Sequence, residues 1–148
     1  MGVDLYHNRV LELASDIPHL GALEAAHGSA EKVSRICGST VRVDVNLSED
    51  GQTLTALAVD PKACALGQAA TAILAMNAVG ASVSEIKSAR DALKAMLKEG
   101  APPPEGRFWE LRHLSGVADY PPRHASTLLP FDAAVAAIDL ALAARVTT

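Results

Sequence analysis

The chain has 148 residues, 49% of them hydrophobic and only 3% aromatic, with a formal charge of −4. That is apolar material for one folded domain over residues 1–148, with a core of Ala, Leu, Val and Ile rather than rings. The acidic balance, with no basic run, excludes the electrostatic footprint of a phosphate-backbone binder.

From the start, MGVDLYHNRV lacks the charged-then-apolar order of a signal peptide, and no run reads as the roughly 18 to 20 apolar residues of a membrane span, so a cytoplasmic protein without a membrane partner is expected. Tyr6, Val10, Leu13 and Ala14 fall at helical spacing, closed by Pro18 and Gly21. A less regular β segment runs through Glu31–Ile36. From Thr40 to Leu47, Val41, Val43, Val45 and Leu47 alternate with Thr40, Arg42, Asp44 and Asn46, which predicts a strand with one wet face. Ser48-Glu49-Asp50-Gly51 carries an Asp-Gly turn, and Leu54 to Val59 returns as the second arm of a hairpin.

After Pro61 the period changes. Leu66, Ala70, Ile73, Leu74 and Asn77 mark a helix that begins just beyond Cys64 and runs to Gly80. Ser82 with Glu85 forms a capping box for a further helix carrying Ile86, Ala89, Leu93, Met96 and Leu97 and ending at Gly100. The Pro102–Pro104 stretch breaks the chain, Phe108–Leu114 predicts one short helix, and Leu128–Ala144 the last, with Pro130 tolerated only in its first turn. The order predicts an α+β fold.

Two cysteines, Cys37 and Cys64, are too few for a disulfide framework and match no short metal spacing. Cys37 precedes a strand, whereas Cys64 opens a helix, whose unpaired amides favour a thiolate and make Cys64 the expected nucleophile. Lys62 is a candidate for lowering its pKa further. No Gly-rich phosphate loop and no Gly-x-Ser-x-Gly context is present.

Cys37-Gly38-Ser39 followed by a hairpin, then Cys64 opening a helix, resembles the Cys-Gly-Asp and second-cysteine segments of the IscU, SufU and NifU N-terminal family. Leu114-Ser115-Gly116-Val117 followed by Tyr120, Pro121 and Arg123 is similar to the SufU stretch Leu-Ser-Gly-Val, aromatic, Pro, any residue, Arg, and the long segment from Glu99 to Leu114 is also SufU-like. Leu5-Tyr6, Pro18 and Gly21-Ala22-Leu23 follow the family's opening, so the resemblance spans nearly the whole chain.

It implies a SufE/NifU-like fold, a small antiparallel sheet of about three strands covered by helices. It also implies iron–sulfur cluster assembly, with three cysteines and an aspartate holding zinc or a cluster and with sulfur accepted from a cysteine desulfurase. Here the aspartate position is Ser39, and the third cysteine is Ser126, or Ala125 in a register shifted by one. A serine hydroxyl is a poor ligand for zinc or iron, so the resemblance implies a reduced site of Cys37 and Cys64 with His124 as the candidate third ligand. His113 is a weaker one, and His7, His19 and His27 read as solvated. Arg123 matches the family arginine that orients a carboxylate or keeps a thiolate charged. The implied functions are a zinc-, iron- or cluster-binding scaffold, a sulfur acceptor through a persulfide on Cys64, or a metal-free protein binding a desulfurase or another assembly partner. Nucleic acid is not an expected partner, and a monomer or homodimer is expected.

Overall fold

The computed structural model describes residues 7–146. Tyr6 and Leu5, read above into the first helix and the family's opening, lie outside the described residues. The first helix, α1 (Asn8–Ser15), buries Val10 and Leu13. The sheet follows as β1 (Gly28–Val33), β2 (Thr40–Leu47) and β3 (Leu54–Lys62), antiparallel throughout in the order β1-β2-β3. Then come α2 (Ala65–Ala78), α3 (Val83–Glu99), a 3-10 helical stretch over Gly106–Asp119 with a kink at Phe108, a short 3-10 turn at Pro121–Arg123, and α4 (His124–Val146).

The alternation read in β2 holds on one face, where Val41, Val43, Val45 and Leu47 are buried. The other face is drier than expected. Asp44 is buried, accepting from the Leu23 amide at 3.0 Å and from Arg42 at 3.1 Å. The segment between α1 and β1 covers that face, bridging to β3 where the Val59 amide donates to the His19 carbonyl and the Gly21 amide to the Val59 carbonyl. The first strand lies earlier than Glu31–Ile36, because residues 34–36 already belong to the turn that leads into β2. At the hairpin, Gly51 takes φ +73° and its amide closes on the Ser48 carbonyl, the conformation for which glycine is suited.

The capping box of α3 forms as read, with the Glu85 amide bonded to Ser82 Oγ and the Ser82 amide to Glu85 Oε1, and Gly100 closes the helix at φ +69°. The Phe108–Leu114 helix is instead part of the longer 3-10 stretch. The largest departure is α4, which starts at His124 rather than Leu128 and carries Pro130 inside it. Proline has no N–H to return to the carbonyl four residues back, which here is that of Ser126. α4 packs against β1 and β2, α2 and α3. Contact with β1 is so close that a Cβ on Gly28 would stand 2.0 Å from the Ala137 carbonyl oxygen. Contrary to the sequence reading, this helix is long and apolar enough to cross a membrane, but 61% of its most apolar window is buried within the fold. It is apolar all round because strands and helices flank it on several sides.

Candidate functional site

Three chain segments meet at one end of the sheet. Thr40, the first residue of β2, pairs with Lys62, the last of β3. Cys37 lies just before the first and Cys64 just after the second, so the antiparallel register carries both thiols past the same edge. The third segment is the first turn of α4, which brings Ser126.

Cys37 stands on the turn joining β1 and β2. The turn is held by the Ser34 amide donating to the Ser39 carbonyl and the Gly38 amide to the Ser34 carbonyl, both at 2.8 Å, with Gly38 at φ +73°. The side chains of Ser34 and Ser39 are buried beneath it, while Cys37 is exposed. Its sulfur lies 3.4 Å from Ser34 Oγ and 3.0 Å from Ser39 Oγ. Hydroxyls rotate to donate to a thiolate. Bonds from Ser34 first, then Ser39, with a lesser one from Ser126, lower the Cys37 pKa from an ordinary 9.0 to about 7 against a small opposing effect of burial.

Cys64 is the N-cap of α2 and half-buried. Its side chain makes no capping bond to the helix amides. Its sulfur instead donates to Ser126 Oγ at 3.7 Å. The hydrogen bonds expected from the helix amides to Cys64 are not made.

Ser126 is fully buried, and its hydroxyl accepts from the Cys64 sulfur. Its hydroxyl donates to the Arg123 carbonyl at 3.2 Å, and Thr127 shares that acceptor at 2.8 Å. Gly67, in the first turn of α2, makes this approach feasible. A Cβ there would lie 2.9 Å from the Ala63 Cβ and 3.1 Å from the Ser126 carbonyl oxygen, closer than atoms pack.

The sulfur pair does not include His124. That side chain is buried, and its Nε2 faces the carbonyls of Val117 at 3.0 Å and Ala118 at 3.1 Å. It ties the 3-10 stretch to α4, a role its position at a helix start did not signal. Arg123 enters the site through its backbone carbonyl, and its guanidinium is not among the causes of the Cys37 shift. His113 is placed elsewhere, stacked edge-on with His7 and Trp109, and His7 Nε2 bonds its carbonyl at 3.1 Å. His27 is exposed, yet its Nδ1 accepts from the Leu47 amide. Sequence reading missed Ser34 and Gly67. A serine three residues before Cys37, with Ser39 two after, was the available signal for the first.

The sequence profile of the NifU-like N terminal domain matches residues 5–127. The chain belongs to this family. Among solved structures, a NifU-like protein (N-terminal) from Brucella abortus shares 42% identity at a TM-score of 0.91, over 94% of this chain and 95% of that one. A candidate iron–sulfur cluster assembly scaffold protein for the SUF system of Fervidobacterium islandicum AW-1 shares the fold at 21% identity and a TM-score of 0.82, over 90% and 96% of the two chains. No curated protein matches. The NifU-like fold is thus the three-stranded, helix-covered α+β architecture that the sequence resemblance implied, and the family is one of iron–sulfur cluster assembly scaffolds.

Within that NifU-like frame the donor atoms differ from what a metal asks for. Zinc and iron–sulfur clusters select thiolate, imidazole and carboxylate. This site offers two sulfurs and the hydroxyls of Ser34, Ser39 and Ser126. Among the described residues no group of three or more His, Cys, Asp or Glu gathers, and no buried side-chain nitrogen or oxygen lacks a hydrogen bond. The donor set does not fit a resident metal.

Proposed function

We propose that this chain serves iron–sulfur cluster assembly as a sulfur acceptor, taking sulfane sulfur onto Cys37 from the persulfide of a cysteine desulfurase. The observation that carries the reading is an exposed thiol whose pKa is lowered to about 7 by the hydroxyls packed under it. Ile36, beside it, is 72% exposed, and Val33 is exposed as well, which supplies apolar area for a protein donor to cover. In the step, the Cys37 thiolate attacks the outer sulfur of the donor persulfide. The donor's S–S bond breaks, its cysteine leaves as thiolate, and Cys37 carries the S–SH group. The reading moves the acceptor from Cys64 to Cys37, and it belongs in the cytoplasm, where thiols stay reduced.

The test is to incubate the protein anaerobically with a cysteine desulfurase and L-cysteine and to map persulfides by mass spectrometry. A gain of about 32 Da on the Cys37 peptide is expected early in the wild type and throughout in Cys64→Ala, and is absent in Cys37→Ser. Sulfur found on Cys64 alone in the wild type, or none on Cys37 of folded Cys64→Ala, overturns the reading.

A further inference from the structure

The acceptor reading leaves the second thiol without a task, and the geometry supplies one. The Cys64 sulfur reaches the hydroxyl of Ser126 at 3.7 Å, and both thiols sit beyond the same end of the β2–β3 pair, where Thr40 faces Lys62. Cys37, three residues before Thr40, is exposed on its turn, and Cys64, two residues after Lys62, rests on Ser126, so the two thiols flank one paired strand end. Cys64 is half-buried where Cys37 is exposed, so it is the less open of the two to an outside donor.

We propose that Cys64 is a resolving thiol, which attacks the inner sulfur of a persulfide on Cys37, releases sulfide and leaves a Cys37–Cys64 disulfide. This rests on the acceptor reading above. Atoms balance within the chain: Cys37–S–SH and Cys64–SH give Cys37–S–S–Cys64 and H₂S. The bond between the Cys37 Sγ and the outer sulfur breaks, and an Sγ–Sγ bond forms. The Cys64 sulfur is oxidised from thiol to disulfide, and the outer sulfur is reduced to sulfide. Cys64 loses its proton to solvent as it becomes the attacking thiolate, and the leaving sulfide takes one up from solvent, so no net proton is gained or lost. A dithiol reductant then reopens the disulfide for another round. The serines that deprive the site of a metal-binding third thiolate thus leave a pair of sulfurs suited to reducing sulfane sulfur themselves.

The experiment loads wild type, Cys64→Ser and Cys64→Ala with a brief anaerobic pulse of cysteine persulfide, removes the reagent, and follows sulfide release and protein mass without reductant, with circular dichroism confirming that each variant is folded. Wild type is expected to release about one sulfide per chain and to end about 2 Da lighter than the dithiol, with Cys37 and Cys64 peptides linked. Both Cys64 variants are expected to stay about 32 Da heavier and to release sulfide at least about tenfold more slowly until dithiol is added. A wild type that keeps its persulfide as long as the folded variants do, or that moves the extra sulfur onto Cys64, overturns the resolving role while leaving the acceptor reading intact. Failure of both Cys64 variants to gain sulfur on Cys37 overturns the two together.

Discussion

The turn at residues 34–39 and the opening of α2 present one thiol each, and chain position favours the second. A helix N-terminus stabilises a thiolate only if the sulfur meets its amides. Cys64 turns away from them to Ser126, whereas Cys37, in a turn with no dipole to recommend it, is surrounded by hydroxyls at 3.0 and 3.4 Å. At Cys37 the direct contacts need no helix end, because a hydrogen bond to the charged form acts at contact distance.

Placing a third sulfur between the two segments is the strongest way to break this contrast. Ser126→Cys is expected to turn the pair into a three-thiol set and raise zinc affinity about 100-fold or more, read by competition with a chromogenic chelator. Unchanged affinity would mean that the serine is not what denies the site a metal. A smaller effect tests the hydroxyls under Cys37. A lowered pKa means that the thiolate dominates above about 7, so removing its donors in Ser34→Ala with Ser39→Ala should move the midpoint of Cys37 reactivity up toward 9.0. At pH 7 the thiolate share then falls from about half to about 1%, partly offset by the higher nucleophilicity of a more basic thiolate, leaving exchange with a small disulfide about sixfold slower. The pH dependence of that rate is the measurement, and an unmoved midpoint sinks the explanation. Smallest is Ser126→Ala, whose hydroxyl is the last-placed contributor at Cys37. It should change the Cys37 rate at pH 7 by less than about twofold, and a larger change would show that the shared hydroxyl dominates both thiols.

Much of the fold was legible because its signals are local. Alternating valines in β2, the Asp-Gly turn and the Ser82–Glu85 box each specify their element within a few residues, and the Leu114–Arg123 segment carried the family. What was misread depends on contacts remote in the chain. Pro130 reads as a helix start, yet α4 begins six residues earlier, with the His124 side chain held by the Val117 and Ala118 carbonyls. His124 looked like a ligand because sequence distance stands in poorly for direction. The resemblance aligned Ser126 with the missing cysteine, and it is found against the Cys64 sulfur. Its consequence for Cys37 became readable only with the turn's serines in place.

Gly67 extends this beyond the thiols. With the Ser126 carbonyl released from helical pairing by Pro130 and only 3.1 Å from where a Cβ would stand, a methyl group there would crowd Ala63 at 2.9 Å and press on the start of α4. Such a change would touch neither cysteine. It would nonetheless act as a spacer on the pair, so a protein that binds, folds and associates normally could still lose its sulfur chemistry through the absence of an empty place the size of one hydrogen atom.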